Sequence, residues 1–140
     1  DISAGGMVTA LLEMCFAQEE FGLEVDLSGI KAGDDAQMLF SEKPGLIIQI
    51  ANENNVSVKD RLKALDVTYH EIAVPKSEDK LSIKTANADY NFDTLEMRDL
   101  WYKTSFLLDQ KQSGAELAKT RFENYKKQPL EFTFPQGFEG

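Results

Sequence analysis

Cysteine and histidine are nearly absent from this chain, which has only Cys15 and His70 among its 140 residues. A lone cysteine cannot close a disulfide within the chain and fits a reducing compartment. One histidine and one cysteine also cannot furnish a His/Cys zinc site. No apolar run approaches the roughly 20 residues needed to span a bilayer. The first residues lack the charged-then-apolar pattern of a secretory signal. Positive charge is short as well: 15 Lys and Arg against 24 Asp and Glu give a net charge of -9. Such a surface repels a nucleic-acid backbone, and the basic pair Lys126 and Lys127 is too short to reverse this. These absences lead us to expect an acidic, cytoplasmic protein that engages neither membrane nor nucleic acid.

What is present is ordinary for a globular domain: 42% hydrophobic and 28% charged residues. The length suits one domain and a core that needs no staples. From Ala4, the residues Met7, Val8, Leu11, Leu12, Cys15 and Phe16 recur at helical spacing, with Ser3 placed to cap the helix and Gly22 to end the segment. LEVDL (23–27) alternates like a half-buried strand, and a short helix follows around Ala36 to Phe40. LIIQIA (46–51) is nearly continuous and β-branched, which predicts a central strand.

A helix carrying Val58, Leu62 and Leu65 comes next, then a strand VTYHEIAV (67–74) and a polar loop over 75–79. LSIKTA and ADYNFD read as a hairpin around Asn87. Asp93 and Glu96 open a long helix in a capping-box pattern, with a buried stripe expected at Met97, Leu100, Trp101, Thr104, Leu107 and Leu108. A more polar helix spans 114–127, and QPLEFTFPQGFEG reads as an extended linker. Helices and strands interleave, yet the last strands pair locally. The expected class is therefore α+β, a mixed layered sheet related to the ferredoxin-like arrangement, with 1–112 as the domain and 113–140 as a helical extension and linker.

The chemistry-bearing stretch is DISAGG at the head of the first helix. Asp1 offers the hard oxygen that Mg²⁺ prefers, and Ser3 can donate to a phosphate oxygen. Gly5 and Gly6 would let a phosphate approach the backbone at a helix start. The same residues also make a capped helix that needs no ligand. Cys15 lies on the apolar face and reads as a buried, inert thiol. His70 has no acid or serine partner at recognisable spacing, and no catalytic constellation is complete within the chain.

DISAGGMVTALLEMCFA resembles the Asp-Ile/Val-Ser-x-Gly-Gly opening of the C-terminal domain of aminoimidazole-ribonucleotide-synthetase-like proteins. LFSEKPGLIIQIA is similar to that family's LF-x-E…G-x-x-I-Q-V segment, and MRDLWYKTSFLLDQ carries the tryptophan and threonine of the long helix in the large, single-chain phosphoribosylformylglycinamidine synthases. The resemblance covers essentially the whole chain and suggests the second copy of this domain type. It implies ATP- and glutamine-dependent amidation of formylglycinamide ribonucleotide, a C–N ligation of purine synthesis. It further implies Mg²⁺ on Asp1, and ATP or ADP contacted by Ser3. The partners implied are a preceding nucleotide-binding domain and a following glutaminase domain of the same chain. A histidine that usually precedes the aspartate is missing, which suggests a cut, and the isolated domain would be inactive. The alternatives are a standalone dimerisation module without nucleotide, or a piece of a small-molecule kinase or of the synthetase itself. A homodimer of the domain is compatible with the first of these.

Overall fold

The computed structural model describes residues 1–31 and 33–127; the expected linker over 128–140 lies outside the described residues. Four strands, β1 (Gly22–Asp26), β2 (Ala73–Lys76), β3 (Lys80–Lys84) and β4 (Asp89–Asp93), form one mixed sheet in the order β2-β1-β3-β4. The β1–β3 pair is parallel and the two outer pairs are antiparallel. Among the described residues, five α-helices accompany them: α1 (Gly6–Cys15), α2 (Asp35–Phe40), α3 (Asn55–Ala64), α4 (Thr94–Ser113) and α5 (Ala115–Asn124). This is the expected α+β class.

Register explains the core. Leu23 lies beside Leu81 and Val25 beside Ile83, so alternate side chains of β1 and β3 project together onto one face. There they meet Val8, Leu11 and Cys15 of α1, and all seven are buried together with Leu27 and Leu39. Each such aliphatic side chain contributes about 1.5–3 kcal/mol on burial. The other residues of β1 and β3, among them Glu24, Asp26 and Lys84, face outward; Glu24 pairs with Lys76 at 2.6 Å. The β3–β4 hairpin turns over 85–88 as its sequence predicts, with Thr85 N donating to Ala88 O. Asp93 caps α4, accepting from Glu96 N at 2.9 Å.

Several expectations fail, each for a local reason. LIIQIA is not a strand: no strand of the described residues lies beside it, Leu46 and Ile48 are 79% and 59% exposed, and only Ile47 packs onto the core. The strand expected over 67–74 is the shorter β2, displaced toward Pro75, which was expected in a loop. Because β1 runs antiparallel to it, Val25 opposite Ala73 and Asp26 N bonded to Ile72 O exhaust β1, so residues before 72 find no partner. Pro75 is tolerated because β2 is an edge strand. Gly22 does not end the first helix, which closes at Phe16, but begins β1. A Cβ on Gly22 would fall 2.0 Å from Lys80 O.

The buried stripe of α4 is the largest correction. Leu100, Trp101, Leu107 and Leu108 are each about half exposed (49–57%). Instead α4 turns Thr94 and Arg98 inward and packs Tyr102 and Phe106 against α5 and the turn after it. Phe106 sits 4.7 Å from Phe122, and Tyr102 stacks on Tyr125 at 4.0 Å. Arg98, 7% exposed, reaches the C-terminal end of α1 at Phe16 O and Glu19, both at 3.4 Å.

Candidate functional site

DISAGG forms a tight entry to α1. Ile2 N donates to Gly45 O at 2.8 Å, which ties the opening residues to the segment after Pro44. Gly5 and Gly6 then both take left-handed conformations, with φ of 84° and 74°. Side chains are excluded there: a Cβ on Gly5 would lie 2.3 Å from Thr9 Oγ1, and one on Gly6 2.6 Å from the Phe40 carbonyl carbon. Gly6 is thus where the start of α1 meets the end of α2.

Ser3 is not the cap its sequence position suggests. Gly5 is the N-cap residue and has no side chain to cap the helix with, while the backbone carbonyl of Ser3 accepts from Gly6 N at 3.0 Å. The Gly5 amide donates to Glu42 Oε1 at 3.0 Å. Both glycine amides are therefore engaged within the chain, that of Gly5 by a carboxylate and that of Gly6 by a backbone carbonyl. Glu42 lies 37 residues away, and nothing local in the sequence pairs it with Gly5.

Asp1 and Ser3 are both exposed. Asp1 lines a cleft of about 290 Å³ with Glu13, Met14 and Ile47. Glu13 is held in turn by Trp101, whose indole Nε1 donates to Glu13 Oε1 at 3.1 Å. The side chain of Ile2, between Asp1 and Ser3, lines a different cleft of about 520 Å³. The described residues contain no group of three or more His, Cys, Asp or Glu able to hold a metal. Around the entry, Asp1 and Glu13 are the two carboxylates that line the smaller cleft.

Cys15 is buried as expected, donates to Leu11 O at 3.3 Å, and has its thiol pushed up to about 11 by burial. Such a thiol is inert as a nucleophile. His70 is exposed and precedes β2 instead of lying in a strand. Two polar centres went unseen in the sequence. Asp35, at the start of α2, accepts from Thr85 Oγ1 and Asn87 Nδ2 at 2.8 Å and from the Tyr90 hydroxyl at 2.9 Å. These bonds, that of Asn87 foremost, hold its carboxyl below the usual carboxylate range and push the Tyr90 hydroxyl up. The second is the Arg98 anchor under α4. Their partners are separated by 50–82 residues, so no spacing pattern could have revealed them.

The family described as "AIR synthase related protein, C-terminal domain" matches residues 1–85, from the DISAGG entry through β3. The chain is 34% identical over 129 residues to the probable phosphoribosylformylglycinamidine synthase, chloroplastic/mitochondrial, of Arabidopsis thaliana, an alignment covering 90% of this chain and 9% of that protein. It is 35% identical over 118 residues to the human phosphoribosylformylglycinamidine synthase (81% of this chain, 9% of that protein). Against phosphoribosylformylglycinamidine synthase subunit PurL of Lactobacillus helveticus it is 37% identical over 101 residues, or 72% of this chain and 13% of that one. The chain thus spans about a tenth of the length of the curated relatives it matches. With the matched span beginning at Asp1 and running through the glycine entry, α1 and the sheet core, this chain belongs to the C-terminal domain family of AIR synthase related proteins.

Proposed function

We propose that this domain works within a phosphoribosylformylglycinamidine synthase, where Asp1 and Ser3 are its share of a Mg²⁺–nucleotide site completed by a preceding domain of the same chain. The reaction is the ATP-dependent amidation of formylglycinamide ribonucleotide with ammonia drawn from glutamine, which makes the whole protein a C–N ligase of purine synthesis. Residues 1–112 are then the synthetase-like domain, and 113–140 lead toward a glutaminase domain. A cytoplasmic setting suits the free, buried Cys15, whereas the Arabidopsis relative is described as chloroplastic/mitochondrial.

The observation that carries this reading is the entry geometry. Two left-handed glycines and the Ile2–Gly45 bond hold Asp1 and Ser3 exposed in front of α1, while among the described residues no group of three or more His, Cys, Asp or Glu gathers to hold a metal. Asp1 would hold the metal, which when bound neutralises phosphate charge. The Ser3 hydroxyl would donate to a phosphate oxygen. One acid and one hydroxyl cannot position ATP, ammonia and an amide together, so the isolated 140 residues should show no turnover. The test is Asp1→Asn in the full-length protein. Loss of co-purifying nucleotide together with a lower Tm is expected; unchanged nucleotide content and stability would remove the metal role.

The alternative, a dimerisation module without nucleotide, is favoured by one observation, the apolar face that α4 leaves exposed at Leu100, Leu107 and Leu108.

A further inference from the structure

The backbone over 46–50 is left without partners. Among the described residues, its N–H and C=O groups make no hydrogen bond to other backbone groups. This is the LIIQI part of the β-branched run, with neither a charge nor a proline. Such segments pair readily along an edge and aggregate when left bare. The outer strands of the sheet are blunted instead: β2 carries Pro75 and Lys76, and β4 begins and ends on aspartate. Exposure over 45–48 also alternates as along a strand, with Gly45 and Ile47 partly buried and Leu46 and Ile48 exposed.

The pairing is already begun at the first residues. Ile2 and Gly45 form an isolated antiparallel bridge, with Ile2 N donating to Gly45 O at 2.8 Å. Extended backwards, that register sets Asp1 beside Leu46, the residue before Asp1 beside Ile47, and the second one before it beside Ile48. Bonded positions alternate in an antiparallel pair, so after Gly45 the next groups to be bonded are those of Ile47 and Gln49. A segment that enters through Ile2 closes no further loop to lie there, whereas a second copy would compete with it for the same groups.

We propose that 45–50 is the acceptor edge for an antiparallel strand supplied by the polypeptide immediately preceding Asp1 in the longer protein. This rests on the reading of the chain as one domain of a synthase, in which residues precede Asp1. The added strand gives LIIQIA the partner that the sheet withholds. It also holds Asp1 by main-chain bonds on both sides, at Ile2 and at the residue before Asp1, so a ladder places the carboxylate offered to the metal.

The test uses the full-length protein with Ile48→Cys and a cysteine at the second residue before Asp1. These two positions form a non-hydrogen-bonded pair, with α-carbons about 4.5 Å apart and within reach of a disulfide. Ile48 is 59% exposed, so its substitution leaves the core untouched. Under mild oxidation in EDTA, mass spectrometry should find the two peptides linked within one chain. A cysteine moved to the third residue before Asp1 projects to the other face and should link at least about tenfold more slowly. Hydrogen exchange of the unsubstituted full-length protein gives a second readout, in which the amides of Ile47 and Gln49 should be protected. No link in a protein that keeps its Tm, equal linking at both positions, or links only between chains would overturn the proposal, as would rapid exchange at Ile47 and Gln49. Neither readout involves metal or nucleotide. Failure here therefore leaves the metal role of Asp1 standing, and an Asp1→Asn protein with unchanged nucleotide content leaves the ladder standing.

Discussion

Asp35 shows how much of this fold depends on single polar side chains that join distant segments. Its carboxylate receives three side-chain bonds from the β3–β4 hairpin and so ties α2 to the turn over 85–88. Those bonds favour the charged form, which places its folded pKa below the ordinary 3.8. A depressed carboxylate contributes stability that is complete above its unfolded value and is lost as pH falls through the folded one. Asp35→Asn should therefore lower Tm at pH 7, and the gap from the unsubstituted chain should close progressively below about pH 4. Thermal melts of both proteins from pH 7 down to pH 2.5 would check this; a gap independent of pH would show that the amide loses shape complementarity and not charge. In the sequence Asp35 is only one of several polar residues between LEVDL and the short helix expected around Ala36 to Phe40. The same holds for Glu42 and Arg98, whose partners lie far along the chain. Cys15 was legible because burial follows from helical periodicity, which is local information.

Elements were legible wherever a repeat or a turn signal is completed within the element itself. The hairpin, α1 and the Asp93 cap all match expectation because pairing, periodicity and capping need only neighbours in sequence. LIIQIA fails because a β-branched run states that a segment is extended and apolar, without naming a strand to lie beside it. The stripe on α4 fails similarly: six apolar or small residues at helical spacing define a face, and what covers it depends on how α5 returns. At the junction of elements, Gly6 carries information that the sequence only half disclosed. Two glycines suggest phosphate approach; the structure adds that a Cβ on Gly6 would run into the backbone of Leu39 and Phe40. Gly6→Ala combines a positive φ with a contact of 2.6 Å to backbone, which cannot yield as a flexible side chain would. It should cost about 2 kcal/mol or more by urea denaturation, since strain and displacement of α2 add. A cost near zero would mean that α2 shifts freely and that the DISAGG entry is not anchored by it.

Across the whole molecule, apolar surface is distributed unevenly for a chain of this size. Leu100, Leu107 and Leu108 on α4 are about half exposed, and Leu46, Ile48, Val56 and Leu65 are more so. Exposed apolar side chains that cluster on one helix face, as Leu100, Leu107 and Leu108 do by their spacing, are candidates for contact with another surface. Two forces then compete when identical chains meet in solution. Burial of these faces favours association, while a net charge of -9 on each copy opposes it. Salt weakens only the second force, because the Debye length falls from about 30 Å at 0.01 M to about 3 Å at 1 M. The isolated chain should therefore sediment as a monomer at low ionic strength and form dimers as salt is raised, the opposite of an association driven by ion pairs. Leu100→Glu with Leu107→Glu should abolish this dimer without altering the monomer, since both positions are half exposed and outside the core cluster. If the double variant still dimerises, the contact belongs to the surface around Leu46 and Leu65. Should the unsubstituted chain stay monomeric at every salt concentration, the dimerisation reading is lost, and the apolar faces are left for the neighbouring domains of the proposed synthase to cover.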